Sequence, residues 1–159
     1  MKWLAGLLLG LSPLTGCGAD ADVAGNYTVA LTNRDNGCNL QNWTVGQSTT
    51  GIPVTIAQDS SAVTANVQAG AGLVLDAVLG DHVYTGDVDG NDIFLELHGT
   101  RAQQQGSCAF FFNSDIDASL SGDTLTGKIE YKAATNGAAE CAALEGCVSF
   151  QDFNGTRPP

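Results

Sequence analysis

The sequence predicts an all-β fold in which an antiparallel up-and-down meander of about eight or nine strands closes into a small barrel. Three observations predict it. Apolar and polar residues alternate along most of the chain after residue 25, short turn motifs separate the alternating segments, and one face of each predicted hairpin is apolar. An antiparallel sheet with one wet face must cover its apolar face, and successive hairpins favour a barrel.

Nine segments carry the alternation: 26–32, 52–58, 61–68, 72–79, 82–88, 91–98, 107–120, 124–132 and 147–154. Four pairs of successive segments are joined by two-residue turns, at Asp59-Ser60, Gly80-Asp81, Asp89-Gly90 and Gly122-Asp123. Asp-Gly favours a hairpin because both central residues can adopt a positive φ. An odd number of strands cannot close into an all-antiparallel ring, and pairing of the first strand with the last is one solution.

These turns also predict which residues face each other across the hairpins. The expected pairs include Ile56–Val63, Leu79–His82, Val88–Asn91, Ser114–Tyr131 and Leu120–Leu125. Two stretches lack the alternation. Residues 33–51 form a long polar loop, and residues 133–146 are expected to hold one short helix before the last strand, since Ala and Glu favour helix and Gly146 can end it.

Composition limits the classes of partner. The chain has 159 residues with 17 acidic and 6 basic side chains, for a formal charge of -11. Nucleic acid and anionic lipid head groups require clusters of Lys and Arg that this sequence lacks, so neither is an expected partner. The length fits one domain together with a processing segment.

The N-terminus has the pattern of an export signal. Met1-Lys2 is a short basic start, and the apolar run over 3–13 is shorter than the roughly 20 residues that span a bilayer. Leu14-Thr15-Gly16-Cys17 follows and resembles the lipobox of bacterial lipoproteins. The resemblance implies cleavage before Cys17 and acylation of its thiol and of the new amino group. Two or more acyl chains hold a protein stably on a membrane where one does not.

The resulting domain plan is a lipoprotein signal peptide over 1–16, the lipidated Cys and a flexible tether over 17–24, and a single barrel over 25–157. The resemblance further implies a bacterial cell-envelope address. Gly18, rather than Asp, follows the lipidated Cys, which by the same resemblance favours the outer membrane and leaves the periplasmic or surface face open.

Four more cysteines are present: Cys38, Cys108, Cys141 and Cys147. An even number in an oxidising compartment predicts disulfides, and four cysteines allow three pairings. The short link between Cys141 and Cys147 favours a local bridge, which would leave Cys38 with Cys108. Without a Cys-x2-Cys motif, and with two His in the chain, no metal site is predicted.

The predicted meander resembles the lipocalin-like superfamily of small barrels. The resemblance depends on the number of strands, the short helix before the last strand, and the two ends of the domain. Gly25-Asn26-Tyr27 is similar to the Gly-x-Trp of a lipocalin first strand, and it implies that Arg157 packs across the ring of Tyr27.

No pattern predicts catalysis or a cofactor. The chain has no Gly-x-Ser-x-Gly motif, and carboxylates such as Asp115 and Glu130 are expected to face water. Four polar residues are expected on the inner face, where they could orient a ligand or satisfy each other in a filled core: His82, Tyr84, Ser114 and Tyr131.

Two functions remain open, with an enzyme as a distant third. The first is a non-enzymatic, lipid-anchored envelope protein whose barrel binds a small apolar ligand or an envelope partner. The second is a structural or interaction lipoprotein whose barrel is filled and binds no ligand.

Overall fold

The computed structural model describes residues 19–158, so the predicted signal peptide over 1–16 and the lipidation site Cys17 lie outside the described residues. The described strands are β1 (Gly25–Asn36), β2 (Ser48–Asp59), β3 (Ala62–Val67), β4 (Val83–Asp89), β5 (Asp92–Leu97), β6 (Gln103–Gln105), β7 (Cys108–Ser121), β8 (Thr124–Thr135) and β9 (Val148–Thr156). Helix α1 (Ala69–Val78) follows β3, and a 3-10 turn (Ala139–Cys141) precedes β9. Neither is of a length and hydropathy that could cross a membrane.

The sheet closes on itself as an eight-stranded, antiparallel up-and-down barrel. Strand β1 pairs with β2 on one side and with β9 on the other, while β5 pairs directly with β7. The three-residue β6 pairs with the start of β7, on the same side of β7 as β5. The ninth strand therefore lengthens one seam and adds no member to the ring, which resolves the problem of an odd strand number.

The predicted registers are correct in one hairpin and shifted by two residues in two others. Leu120 faces Leu125 and Ser114 faces Tyr131, as the Gly122-Asp123 turn predicted. Ile56 instead faces Ala65, and Val88 faces Ile93. The turns lie one residue later than predicted, because Ser60 and Gly90 adopt the positive φ of the first turn position. A shift of two keeps every side chain on its predicted face.

The prediction of a strand over 72–79 is wrong, because this segment belongs to α1. Short apolar runs do not distinguish strand from helix by periodicity, and here Ala and Leu favour the helix. The helix places Ala71, Leu75 and Val78 against the barrel interior, and the predicted Leu79–His82 pair does not form. The helix expected over 133–146 is also reduced: β8 extends to Thr135 and only Ala139–Cys141 form a 3-10 turn.

Because α1 replaces one predicted strand, the ring has an even number of strands, and β1 runs antiparallel to both of its neighbours, β2 and β9. Three tight turns, at 60–61, 90–91 and 122–123, meet at one end of the barrel, called here the closed end. The four long connections, 37–47, 68–82, 98–107 and 136–147, meet at the other end, called the open end. All four cysteines of the barrel lie at or next to the open end.

The disulfide pairs differ from those favoured above. Cys38 bonds Cys147, and Cys108 bonds Cys141. Cys141 lies fully buried in the 3-10 turn against the start of β7, which brings its sulfur to Cys108 instead of to the nearby Cys147. Gly37 N–H donates to the Val148 carbonyl, and this contact holds Cys38 beside Cys147. Sequence proximity therefore did not decide the pairing.

The described part of the expected tether, residues 19–24, also departs from the prediction, because it packs on the closed end. Val23 is fully buried, and its N–H donates to Gln58 Oε1 at 2.7 Å. Ala21 N–H donates to the Gly90 carbonyl, and Gly90 N–H donates to Asp20 Oδ1 at 3.0 Å. The N-terminal segment thus belongs to the folded domain from about Asp20 onward.

Candidate functional site

The barrel encloses a cavity of about 1190 Å³ that reaches from the open end towards Tyr27. All eight strands of the ring contribute side chains to its wall. Most of the wall in the depth of the barrel is aliphatic or aromatic, with Val29, Ile52, Ile56, Ile93, Leu95, Phe112, Leu125 and Phe153. The period-two alternation that predicted the strands places these residues inside.

The closed end is sealed by contacts between the segment before β1 and the segment after β9. The Tyr27 hydroxyl donates to the Val23 carbonyl at 3.0 Å, and Arg157 Cζ lies 5.8 Å from the centre of the Tyr27 ring. The Arg157 guanidinium also donates to the carbonyl of Ala24 and to Asp123 Oδ1. The packing of Arg157 across Tyr27 that the resemblance implied is therefore present.

The open end is narrowed by α1 and by two loops. Helix α1 presents Val74, Leu75 and Val78 to the cavity, while Trp43 and Leu144 approach from the connections 37–47 and 136–147. The Trp43 indole N–H donates to the Arg34 carbonyl at 2.8 Å, and the indole packs edge-on against Tyr131, with ring centres 6.0 Å apart. The mouth therefore has apolar side chains on opposite sides.

Besides Tyr27 at the closed end, two buried phenols supply polar groups inside the barrel. The Tyr84 hydroxyl donates to Ser114 Oγ at 3.0 Å, and the Tyr131 hydroxyl donates to Gln151 Oε1 at 2.9 Å. Burial raises the pKa of Tyr84 to about 12 and raises the pKa of Tyr131 well above its usual value. Both phenols therefore stay neutral and keep their hydrogen-bonding capacity at physiological pH.

The structure separates the four candidate residues. Tyr84 and Tyr131 line the cavity, and Ser114 is fully buried against Tyr84 without lining it. His82 is not part of the wall: its Nδ1 bonds Asp76 Oδ1 of α1 at 2.7 Å, and 36% of its side chain is exposed. Its expected inward position depended on the strand at 72–79, and the helix there moves it to the side of the mouth.

The mouth contains a polar feature that strand patterns did not predict. Of the cavity-lining side chains, those nearest the long connections are rich in carboxamides: Asn33, Asn39, Gln41, Asn42, Gln47, Gln103, Gln105 and Gln151. Two charged residues, Arg101 and Glu140, also border the cavity. Since most of these residues lie in or beside loops, period-two alternation could not assign them a face. Their abundance in 33–51 and 103–105 was the available signal.

His82 also belongs to a cluster of residues that can ligate metals, which the sequence did not predict. Within residues 19–158, one oxygen or nitrogen each from Asp76, Asp81 and His82 lie within 4.8 Å of one another. These groups already bond within the protein, because Asp81 Oδ1 accepts the N–H groups of His82 and Val83. The cluster therefore has a structural role in joining α1 to β4.

Comparisons with known proteins identify no family. No family model matches the chain, and no curated protein matches it. Among solved structures, the chain is similar to one described as "Structure of EF1p2_mFAP2b bound to DFHBI", with 10% sequence identity and a TM-score of 0.47. The similarity covers 85% of this chain and 93% of that chain.

Proposed function

We propose that this protein is a non-enzymatic lipoprotein of the bacterial cell envelope that binds a small apolar ligand inside its barrel. The observation that carries the proposal is the cavity of about 1190 Å³, because a filled barrel would leave no such space. Ligand cavities are concave and mostly apolar, and they contain a few placed polar groups. The aliphatic walls with Tyr84 and Tyr131 fit that description.

The proposed lipid anchor gives the barrel a direction. Cys17 stands three residues before Asp20, whose carboxylate accepts the Gly90 N–H at the closed end. Three residues extend over roughly 10 Å at most. An acyl group on Cys17 would therefore hold the closed end next to the membrane, with the mouth of the cavity pointing away from it.

Absence of catalysis is part of the proposal. A hydrolase would need a nucleophile activated by a nearby base. In residues 19–158, the side-chain partner of His82 is Asp76, and the Ser114 hydroxyl bonds Tyr84, so this His and this Ser do not form a nucleophile–base pair. The four cysteines of the barrel are disulfide-bonded.

A cavity-filling substitution tests the proposal. Ala65 is buried and lines the cavity, so Ala65→Leu adds about three carbon atoms to space that is empty in a hollow barrel. We expect it to reduce binding of an uncharged apolar dye such as N-phenyl-1-naphthylamine by at least about tenfold while the melting temperature is kept or raised. In a filled core the same change would cost about 1–3 kcal/mol.

The matched control is Ala109→Leu, an equal change at an exposed position of β7. It should leave dye binding unchanged. No binding by the parent protein, or a loss of stability in Ala65→Leu without any effect on binding, would favour the filled barrel.

The anchor is tested separately by Cys17→Ser, which should release the protein from the membrane fraction. Retention there with unchanged processing would contradict lipidation.

A further inference from the structure

We infer that the ligand is an amphiphile with an apolar chain and an uncharged, hydroxyl-rich head group, of the chemical class of a glycolipid. The inference deepens the proposed function and rests on it. It depends on the division of the cavity into an apolar depth and a mouth bordered by neutral hydrogen-bonding side chains.

The first step is the depth of the barrel. Its wall has no ionisable carboxylate or amine among the described residues, and its phenols are neutral. Burying a charge without a partner is costly, so the part of a ligand that enters this region must be uncharged. An alkyl or isoprenoid chain satisfies that condition.

The second step is the chemistry of the mouth. Eight carboxamide side chains border the cavity, and each offers both a carbonyl acceptor and N–H donors. Gln151 and Asn33 already form a linked pair, with Gln151 Nε2 donating to Asn33 Oδ1 at 2.7 Å, while the Gln151 carbonyl accepts from Tyr131. Groups that donate and accept at once, above all hydroxyls, match such a surface. Trp43 adds an aromatic face to which the C–H face of a sugar ring can pack.

The third step concerns the two charged residues at the mouth. The Glu140 carboxylate accepts hydrogen bonds from the backbone N–H and the hydroxyl of Ser107, so it is engaged within the protein. Arg101 is exposed, where attraction for an anion is weakened by water and salt. The formal charge of -11 also opposes an anionic ligand. Because Arg101 and Glu140 carry opposite charges, they add no net charge to the border of the cavity, and the carboxamides there favour a neutral head group.

Three probes with the same twelve-carbon alkyl chain test the inference: dodecyl maltoside, tridecanoate and dodecyltrimethylammonium, each below its micelle concentration. Calorimetric titration uses protein that carries Cys17→Ser and has been purified without detergent. We expect dodecyl maltoside to bind at least about tenfold more tightly than either charged probe. The preference should persist in about 0.5 M salt, because hydrogen bonds to the head group do not depend on long-range charge.

Neighbouring glutamines on β6 provide a matched set of variants. Gln103 and Gln105 border the cavity, whereas Gln104 lies between them without lining it, and its side chain donates to the Gly106 carbonyl. Gln103→Leu combined with Gln105→Leu should weaken dodecyl maltoside binding about three- to tenfold per lost hydrogen bond and leave tridecanoate binding unchanged. Gln104→Leu should change neither.

Equal or tighter binding of a charged probe, or loss of the preference in salt, would overturn the head-group assignment while leaving a ligand-binding barrel in place. An equal effect of Gln103→Leu/Gln105→Leu on all three probes would overturn it as well. If none of the probes binds and the apolar dye does not bind, the proposed function fails together with this inference.

Discussion

The guanidinium of Arg157 lies over the ring of Tyr27, with 5.8 Å between Arg157 Cζ and the ring centre, and joins the last residues of the barrel to the first strand. Arg157 also donates hydrogen bonds to the carbonyls of Asp22 and Ala24 and to the Asp123 carboxylate. One side chain thus connects the N-terminal segment, β1 and the β7–β8 turn. The closed end depends on this connection.

Arg157→Gln should therefore reduce the free energy of unfolding by about 2 kcal/mol, because several hydrogen bonds and a cation–π contact are lost together. Urea denaturation measures this quantity. Arg34→Gln is the control, since Arg34 also pairs with one carboxylate, Asp152, but both side chains are nearly half exposed. It should change stability by less than about 0.5 kcal/mol. Equal losses in the two variants would contradict the role of Arg157.

The disulfides should appear in peptide maps of the unreduced protein as links between Cys38 and Cys147 and between Cys108 and Cys141. Each bridge stabilises the protein by restricting the unfolded chain. In the loop-entropy model the bridge across 109 residues contributes roughly 5 kcal/mol, and the bridge across 33 residues contributes roughly 4 kcal/mol. Replacing both cysteines of the longer bridge with Ala should thus cost at least as much stability as replacing those of the shorter. A Cys141–Cys147 peptide would refute this pairing.

Gly86→Ala should destabilise the barrel by at least about 2 kcal/mol, because a Cβ at this position would lie 1.9 Å from the carbonyl oxygen of Phe94. Thermal unfolding gives the measurement. The comparison variant is Gly70→Ala in α1, where nothing lies within 4 Å of the added atom and alanine favours helix. It should stabilise the protein by about 0.5–1 kcal/mol. If Gly86→Ala left the melting temperature unchanged, β4 and β5 would have to lie further apart than in this structure.

Glu130 makes stability depend on acid. Hydrogen bonds from Lys128 and then from Lys132 hold the pKa of Glu130 below its usual value, and the Lys132 Nζ lies 2.9 Å from Glu130 Oε2. A carboxylate with a lowered pKa in the folded state adds stability above its unfolded pKa, near 4.5, and loses that contribution as pH falls through the folded value. Stability should therefore fall less steeply below pH 4.5 in Glu130→Gln than in the parent.

Between pH 6 and pH 3, the parent should lose more unfolding free energy than Glu130→Gln, by on the order of 0.5 kcal/mol. The effect is small because the Glu130 side chain is 21% exposed and water weakens its ion pairs. Denaturant titrations at pH 6 and pH 3 measure it. Glu145→Gln is the control, because Glu145 is exposed and has no ion pair among the described residues. An identical pH dependence for Glu130→Gln and the parent would show that the lysines do not stabilise this carboxylate.

Period-two alternation and turn residues were sufficient to predict the barrel, the pairing of Leu120 with Leu125, and the inner faces of the strands. They failed over 72–79, where an apolar run is equally compatible with either secondary structure, and this error moved His82 inward in the expected fold. The partners of Cys141 and Cys147 depend on how loops from different hairpins meet at the open end. Local sequence holds no information on such contacts. Asn and Gln are abundant in 33–51 and 103–105, but the strand pattern did not show that these segments meet at one mouth.

The two disulfides cross-link some of the long connections at the open end and leave one of them without a cross-link. Connections 37–47 and 136–147 carry bonded cysteines, and Cys108 directly follows 98–107, whereas 68–82 carries no cysteine. Helix α1 in that connection begins with Ala69 at a φ of 55° and has no side-chain cap at its N-terminus. Local opening costs least where cross-links and caps are absent. Amide hydrogens of α1 should thus exchange faster than those of the neighbouring strands, and displacement of this helix would widen the mouth of the cavity.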